Sequence, residues 1–190
     1  MFKGSIVALV TPFKEGKIDE DSLRNLVDWH VSEGTDGIVP VGTTGESPTL
    51  DHSEHKKVVE IVIDQCNKRI PIIAGTGSNS TSEAINLLEH AEDAGADAAL
   101  IVTPYYNKPT PEGIYAHYEA LDSESKKLPI IVYNIPSRSV IDIQPDLMGK
   151  LSKLESIIGV KDATSEISRV SEHNNLCNKD FIQLSGEDET

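Results

Sequence analysis

The chain has 190 residues, 38% hydrophobic and 25% charged, the composition of an ordinary globular protein. Its 31 acidic against 17 basic side chains give a formal net charge of -14, and no Lys/Arg-rich tract overrides it, so no nucleic-acid partner is expected. Cys66 and Cys177 match no metal or redox pair, no apolar stretch is long enough to span a bilayer, and the run after Met1-Phe2-Lys3-Gly4 is too short for a signal sequence. A cytoplasmic protein with no membrane contact is expected.

Ile6 to Val10 reads as the first strand, stopped by Thr11-Pro12. Asp19 or Asp21 can cap the next helix, which carries Leu23, Leu26, Val27 and Val31 on one face and ends at Gly34. Gly37 to Val41 is a second strand and runs into Gly42-Thr43-Thr44-Gly45-Glu46-Ser47, a glycine-bracketed turn with two hydroxyls. Helical periodicity resumes near Ser53, and the third strand, Ile70 to Ala74, tolerates Pro71 near its start. Ser80 and Glu83 have capping-box spacing for a helix with Ala84, Leu87, Leu88 and Ala91 inward. The fourth strand, Ala98 to Val102, leads into Thr103-Pro104-Tyr105-Tyr106-Asn107, and Thr110-Pro111 opens the following helix. Pro129 to Tyr133 is the fifth strand, followed by Asn134-Ile135-Pro136-Ser137-Arg138 and a short helix around Leu147 to Leu151. Ile157 to Val160 is the sixth strand, Ser165 to Val170 begins another helix, and Phe181 to Leu184 is the seventh strand, followed by Ser185-Gly186 and an acidic tail.

The strands recur roughly every 30 residues, room for one strand, one helix and two turns, which fits an α/β (β/α)8 TIM barrel better than a flat doubly wound sheet. A closed barrel needs about 250 residues and eight strands. Residues 1–190 are therefore expected to be the N-terminal portion of a single (β/α)8 barrel, truncated after the seventh strand, without the eighth strand and the C-terminal helical region.

The sixth strand ends abruptly in Lys161. A buried parallel strand puts the residue after it at the carboxyl end, where barrels and open α/β sheets keep their chemistry. An amine there can be desolvated and lose its proton, as a Schiff-base nucleophile must. Taken alone, Lys161 reads equally as a surface lysine closing a strand or as a partner of Asp162. Convergence favours chemistry, because Thr43, Thr44, Tyr105, Tyr106, Tyr133, Arg138 and Gly186 all fall at the same rim if the strands are parallel. A keto substrate bearing a carboxylate needs an amine, a proton-transfer hydroxyl and donors for the carboxylate. Lys161, Tyr133 and the N–H groups of the Thr43-Thr44 turn supply that set, and the planar fork of Arg138 suits a second carboxylate. Each also has an ordinary reading: a strand tyrosine, a solvated arginine, turn threonines. No Walker lysine follows Gly42-Thr43-Thr44-Gly45, and Gly75-Thr76-Gly77 completes no dinucleotide fingerprint. His52 and His55 share a helical face without a metalloprotease pattern; no metal is expected, and both read as helix-surface or interface residues.

Four stretches, Gly42-Thr43-Thr44-Gly45-Glu46-Ser47, Thr103-Pro104-Tyr105-Tyr106-Asn107-Lys108-Pro109, Tyr133-Asn134-Ile135-Pro136-Ser137-Arg138 and Gly159-Val160-Lys161-Asp162-Ala163-Thr164, occur in that order. With them the chain resembles, over all 190 residues, the dihydrodipicolinate synthase family of pyruvate-dependent class I aldolases. The resemblance implies that Lys161 forms an imine with pyruvate and, without any other cofactor, adds the derived enamine to L-aspartate 4-semialdehyde. The product is 4-hydroxy-tetrahydrodipicolinate, for lysine and diaminopimelate biosynthesis. It implies proton transfer by Tyr133, linked through Thr43 to a Tyr106 from the neighbouring subunit, a pyruvate carboxylate held by Thr44, main chain of Gly186 beside the substrate, and a semialdehyde carboxylate met by Arg138. Sister enzymes that cleave keto sugar acids share the imine lysine and strand tyrosine, and Arg138 separates this chain from them. Another keto-sugar-acid aldolase or lyase, and a non-catalytic truncated barrel, are the two alternatives. The family also implies a homo-oligomer, a dimer or a dimer of dimers (a homotetramer), and allosteric inhibition by L-lysine at an interface, where Ser47, His52, His55, Asn79, Glu83 and Tyr105 match. Pro48 departs from the smaller residue usual at its position.

Overall fold

The computed structural model describes residues 2–187; Met1 and the last three residues of the acidic tail, Asp188 to Thr190, lie outside it. The chain divides into two units, one made of the residues up to Thr76 with His90–Ala99, the other of Gly77–Glu89 with the residues from Leu100 onward.

In the first unit β1 (Ile6–Ala8) is followed by a hairpin of β2 (Phe13–Lys14) and β3 (Lys17–Ile18), where the sequence pattern reads only a stop at Thr11-Pro12. The hairpin forms because Glu15 and Gly16 both take left-handed backbone, φ 53° and 75°, the pair of conformations that a two-residue turn between antiparallel strands demands. Helix α1 (Glu20–Ser32) starts at Asp19, whose carboxylate accepts from the Ser22 N–H (3.1 Å), and it buries Leu23 and Val27 completely. Strand β4 (Gly37–Val39) pairs in parallel with β1, Ile6 opposite Gly37 and Ala8 opposite Val39. After a short 3-10 turn at Ser47–Thr49, helix α2 (His52–Cys66) begins with a complete capping box between Asp51 and Glu54 and buries Val58, Val59 and Val62. Strand β5 (Ile73–Gly75) starts three residues later than the apolar run suggests. Pro71 has no N–H to give and contributes only its carbonyl, which accepts from Ile38 N–H at 3.0 Å, with Ile38 and Ile72 forming a parallel bridge.

Helix α3 (Thr81–Ala94) forms where the pattern places it; the Glu83 N–H donates to Ser80 Oγ at 3.4 Å, while Ser78 Oγ accepts from the Ser80 N–H and donates to the Glu83 carboxylate (2.6 Å). The second unit holds β6 (Ala98–Val102) from Leu100 onward, and β6, β7 (Ile130–Asn134), β8 (Ile157–Asp162) and β9 (Ile182–Ser185) lie in that order in one sheet. Helix α4 (Pro111–Glu124), capped by Thr110, buries Ile114, Tyr118 and Leu121, and the Tyr118 hydroxyl donates to Ile101 O at 2.8 Å. Two short helices, α5 (Pro136–Ser139) and α6 (Pro145–Leu151), lie between β7 and β8. Helix α7 (Ser168–Leu176) starts three residues beyond the expected Ser165, which sits at φ 63° and turns the chain instead. All five residues of β7 are buried. Strands β7, β8 and β9 are mutually parallel, with Tyr133 opposite Lys161, Asn134 opposite Asp162 and Lys161 opposite Leu184. A register shift after Ile130 sets this pairing: Ile130 faces Ile157, whereas Ile131 faces Gly159. Fully burying each aliphatic side chain of this core stabilises it by roughly 1.5–3 kcal/mol. All seven expected strands are present, alternating with helices.

His55 on α2 and His117 on α4 are buried and polar within this apolar packing. The expected surface placement therefore does not hold for His55, which is 3% exposed. Burial pushes both imidazoles down to about 4; for His55 the main chain of Gly75 opposes the shift without reaching hydrogen-bond geometry, and His117 Nδ1 lies 2.9 Å from Thr81 Oγ1. The unfolded chain takes up these protons near pH 6.5 and the folded chain only near 4, so stability is intact above 6.5 and falls as the pH drops between those values. The expected loss is roughly 1.4 kcal/mol per pH unit for each ring in that window. Urea midpoints measured from pH 7 to 4 will show it, and His117→Phe, which cannot titrate, will flatten the curve; an unchanged slope assigns the acid loss to other groups.

Candidate active site

Parallel pairing in register points Tyr133 and Lys161 to the same face at the carboxyl ends of β7 and β8. Lys161 Nζ lies over the Tyr133 ring, 4.4 Å from its centroid, a cation–π distance. Tyr133 is 6% exposed while Lys161 is partly open to solvent, so the amine is both packed and reachable. Strand β9 adds a wall. Gly186 N–H donates to Asp162 O at 2.7 Å, and a Cβ built on Gly186 would stand 2.8 Å from Lys161 Cε and 3.1 Å from Ala163 Cβ. Only a glycine lets the main chain come this close to the lysine stem. Arg138 is the third residue of the four-residue α5, its side chain exposed and its N–H bonded to Ile135 O (3.1 Å), and Val140, just past the helix end, reverses the chain at φ 64°.

After β6, Tyr105 is half-buried and Tyr106 is 93% exposed on a left-handed backbone, φ 70°. Burial raises the Tyr105 phenol above its ordinary range, and the charge of Glu83 adds to the shift. Asn79 is tied to the same segment, since its carbonyl accepts from Asn107 Nδ2 at 3.0 Å. These three residues are thus neighbours in the second unit.

In the first unit Thr43 and Thr44 are exposed on the turn after β4. That turn is shaped by main-chain bonds from Gly45 N–H to Gly42 O and from Glu46 N–H to Thr43 O, both 3.1 Å, and Thr11 Oγ1 donates to Gly45 O at 2.7 Å. A Cβ at Gly45 would meet Leu9 O at 2.9 Å, so the turn packs tightly on the chain end of β1. Ser47 opens the 3-10 turn, His52 is exposed at the first residue of α2, and His55 is buried one turn later.

Sequence reasoning missed a polar cluster on the opposite face of β7 and β8. Arg169, 3% exposed, donates from Nη1 and Nη2 to the two carboxylate oxygens of Asp142 (2.8 and 2.6 Å), and Asn134 Nδ2 donates to Asp142 Oδ1 at 3.0 Å. Asp142 and Arg169 are far apart in sequence and belong to no motif, so only the alternation of Asn134 against Tyr133 hinted at a second lined face. Among the described residues no group of three or more His, Cys, Asp or Glu side chains is placed to hold a metal ion, and no helix is long and apolar enough to cross a membrane.

The family profile described as the Dihydrodipicolinate synthetase family matches residues 1–190. A relative from Roseobacter denitrificans, called 4-hydroxy-tetrahydrodipicolinate synthase, is 60% identical over 190 residues, covering 100% of this chain and 65% of the relative. The solved structure of the chloride-inhibited dihydrodipicolinate synthase from Acinetobacter baumannii, complexed with pyruvate, is 51% identical with a TM-score of 0.96, covering 100% of this chain and 65% of that one. That of the Cyanidioschyzon merolae protein with lysine bound is 36% identical with a TM-score of 0.92, covering 96% and 62%. The chain spans about 65% of the length of the curated relatives it matches. Strand alternation, the lysine at a strand's carboxyl end and these similarities agree on a fold of the (β/α)8 TIM-barrel class, and the chain belongs to the dihydrodipicolinate synthetase family.

Proposed function

We propose that this sequence is part of an enzyme that condenses pyruvate with L-aspartate 4-semialdehyde to 4-hydroxy-tetrahydrodipicolinate through an imine on Lys161, in lysine and diaminopimelate biosynthesis. The observation that carries the reading is the in-register pair at the strand ends, with Lys161 Nζ 4.4 Å from the Tyr133 ring centroid. The Lys161 amine attacks the keto carbon of pyruvate, water leaves, and loss of a methyl proton gives the enamine. The enamine carbon then bonds to the aldehyde carbon of the semialdehyde, whose oxygen takes a proton. The substrate amine next attacks the imine carbon, closing the ring and releasing Lys161, so no other cofactor enters. Tyr133 carries the protons, Thr43 relays them to Tyr106, Thr44 holds the pyruvate carboxylate, Arg138 the semialdehyde carboxylate, and the main chain at Gly186 lines the substrate.

Residues 1–190 belong, in this reading, to one barrel of the family's length in a cytoplasmic enzyme. The exposed ring of Tyr106 suits delivery to a second copy in a dimer or dimer of dimers. Inhibition by L-lysine is supported by the lysine-bound Cyanidioschyzon protein and by the neighbouring Asn79, Glu83 and Tyr105, with Ser47, His52 and His55 completing the proposed set. Its test is calorimetric titration with L-lysine alongside turnover; no heat and unchanged activity at high lysine remove it.

Borohydride treatment with pyruvate, read by intact mass and peptide mapping in a chain carrying this sequence at the relatives' full length, will trap the adduct on Lys161, and Lys161→Ala will abolish it. A folded protein without an adduct ends the imine mechanism. Turnover with the semialdehyde, and none with a keto sugar acid, then excludes the sister aldolases. Tyr133→Phe will lower kcat by roughly 100-fold or more, the contribution typical of a positioned proton donor. Gly186→Ala will leave the melting temperature within a few degrees, because the most crowded atom, Lys161 Cε, is on a flexible stem and Ala163 Cβ, at 3.1 Å, need give only slightly. It will slow adduct formation at least about tenfold, since misplacement by roughly 1 Å can cost on the order of 100-fold; a rate equal to that of the unaltered protein shows that Gly186 sets nothing.

A further inference from the structure

We propose that Arg169 and Asp142 form a clamp on one face of β7 and β8 that sets the positions of Tyr133 and Lys161 on the other, which makes Arg169 a positioning residue. The inference deepens the imine reading above and rests on it. Asn134 and Asp162 immediately follow Tyr133 and Lys161, face each other in register, and by strand alternation project to the opposite face. Asn134 is completely buried. Its Oδ1 accepts from the Ile143 N–H (3.1 Å), while Nδ2 donates to Asp142 Oδ1 (3.0 Å) and lies 3.5 Å from Asp162 Oδ2. Its carbonyl accepts from the Ala163 N–H at 2.9 Å, prolonging the pairing one step past the strand.

One guanidinium closes this cluster. Besides its forked bonds to Asp142, Arg169 donates through Nη1 to Ile143 O (3.0 Å) and through Nε to Glu166 Oε2 (2.9 Å). It therefore ties α7, which follows the lysine strand, to the 141–143 segment, which follows the Arg138 turn, and through Asn134 to the end of the tyrosine strand. Burial alone would raise the Asp142 carboxyl, but the bonds from Arg169 and Asn134 outweigh it and hold the group below the ordinary carboxylate range. An ion pair with one partner buried and the other half-buried adds little to stability compared with an apolar packing of the same volume. Its distinctive property is geometry, since a planar fork fixes direction where an ammonium does not.

Arg169→Lys keeps the charge and removes the fork. In the full-length protein it will leave the far-UV spectrum unchanged and lower kcat about tenfold, with the KM for pyruvate within about twofold. In a Tyr133→Phe background the same substitution will lower kcat by clearly less than it does in the unaltered protein, because one of the two groups it positions has already lost its function; a role independent of Tyr133 gives losses that multiply. A crystal structure of Arg169→Lys will show Lys161 Nζ displaced from the Tyr133 ring. Retention of the 4.4 Å distance, or multiplying losses, overturns the clamp. If Arg169→Lys does not fold, Asp142→Asn, which preserves shape, is read by the same criteria. If the unaltered protein traps no pyruvate, the imine reading fails, and the Nζ-to-ring distance in the variant still decides the clamp.

Discussion

An amine can attack a ketone only if it is held near a group that manages its protons, and two parallel strands are an economical way to hold it. In β7 and β8 the pairing of Tyr133 with Lys161 is a backbone property: hydrogen bonds along the ladder, not the side chains, decide that the two residues share a face and a level. The side chains then add a packed contact, nitrogen over ring, and the close main chain of Gly186 confines the lysine stem from a third direction. Other proposed participants are added from turns and a short helix, where single substitutions change specificity without disturbing the ladder.

Burial on β7 explains why the arrangement is stiff. Ile130, Ile131 and Val132 are fully enclosed, so the strand cannot twist to relieve strain at its end without opening the core. The polar residues at that end are satisfied locally: Asn134 by Asp142 and Ile143, Asp162 by the Thr164 N–H at 3.0 Å. Charge is used there for direction more than for cohesion, in contrast to the exposed pair of Arg24 with Asp64 (2.6 Å), a solvated contact of small energetic weight.

Much of this was legible in the amino-acid order because it depends on local patterns. Apolar runs bounded by turn or polar residues marked the parallel strands, Asp19 and Thr110 marked helix starts, and the lysine at the end of Ile157–Val160 marked the site. What escaped lacked such a signal. The β2–β3 hairpin has only two residues per strand, too few for any alternation to register, and its turn relies on a glutamate in left-handed backbone. The sequence pattern puts His55 at a helix surface or an interface, because one polar ring on an amphipathic helix carries no mark of which neighbours cover it, and it is the packing of α2 that buries it. The Asp142–Arg169 cluster joins residues that meet only after the chain has passed through a helix and a strand and entered the next helix.

The register shift near the start of β7 has an effect out of proportion to its size. Were Ile158 paired like its neighbours, Tyr133 would stand opposite Val160 and Lys161 opposite Asn134. Because a strand's side chains alternate, a slip of one residue is a change of parity: the amine would be sent to the arginine side of the sheet and the phenol left with a valine beside it. One unmatched isoleucine at the far end of the strand thus decides which of the two surfaces holds a nucleophile, and evolution can lengthen or shorten this strand before Gly159 only in steps of two.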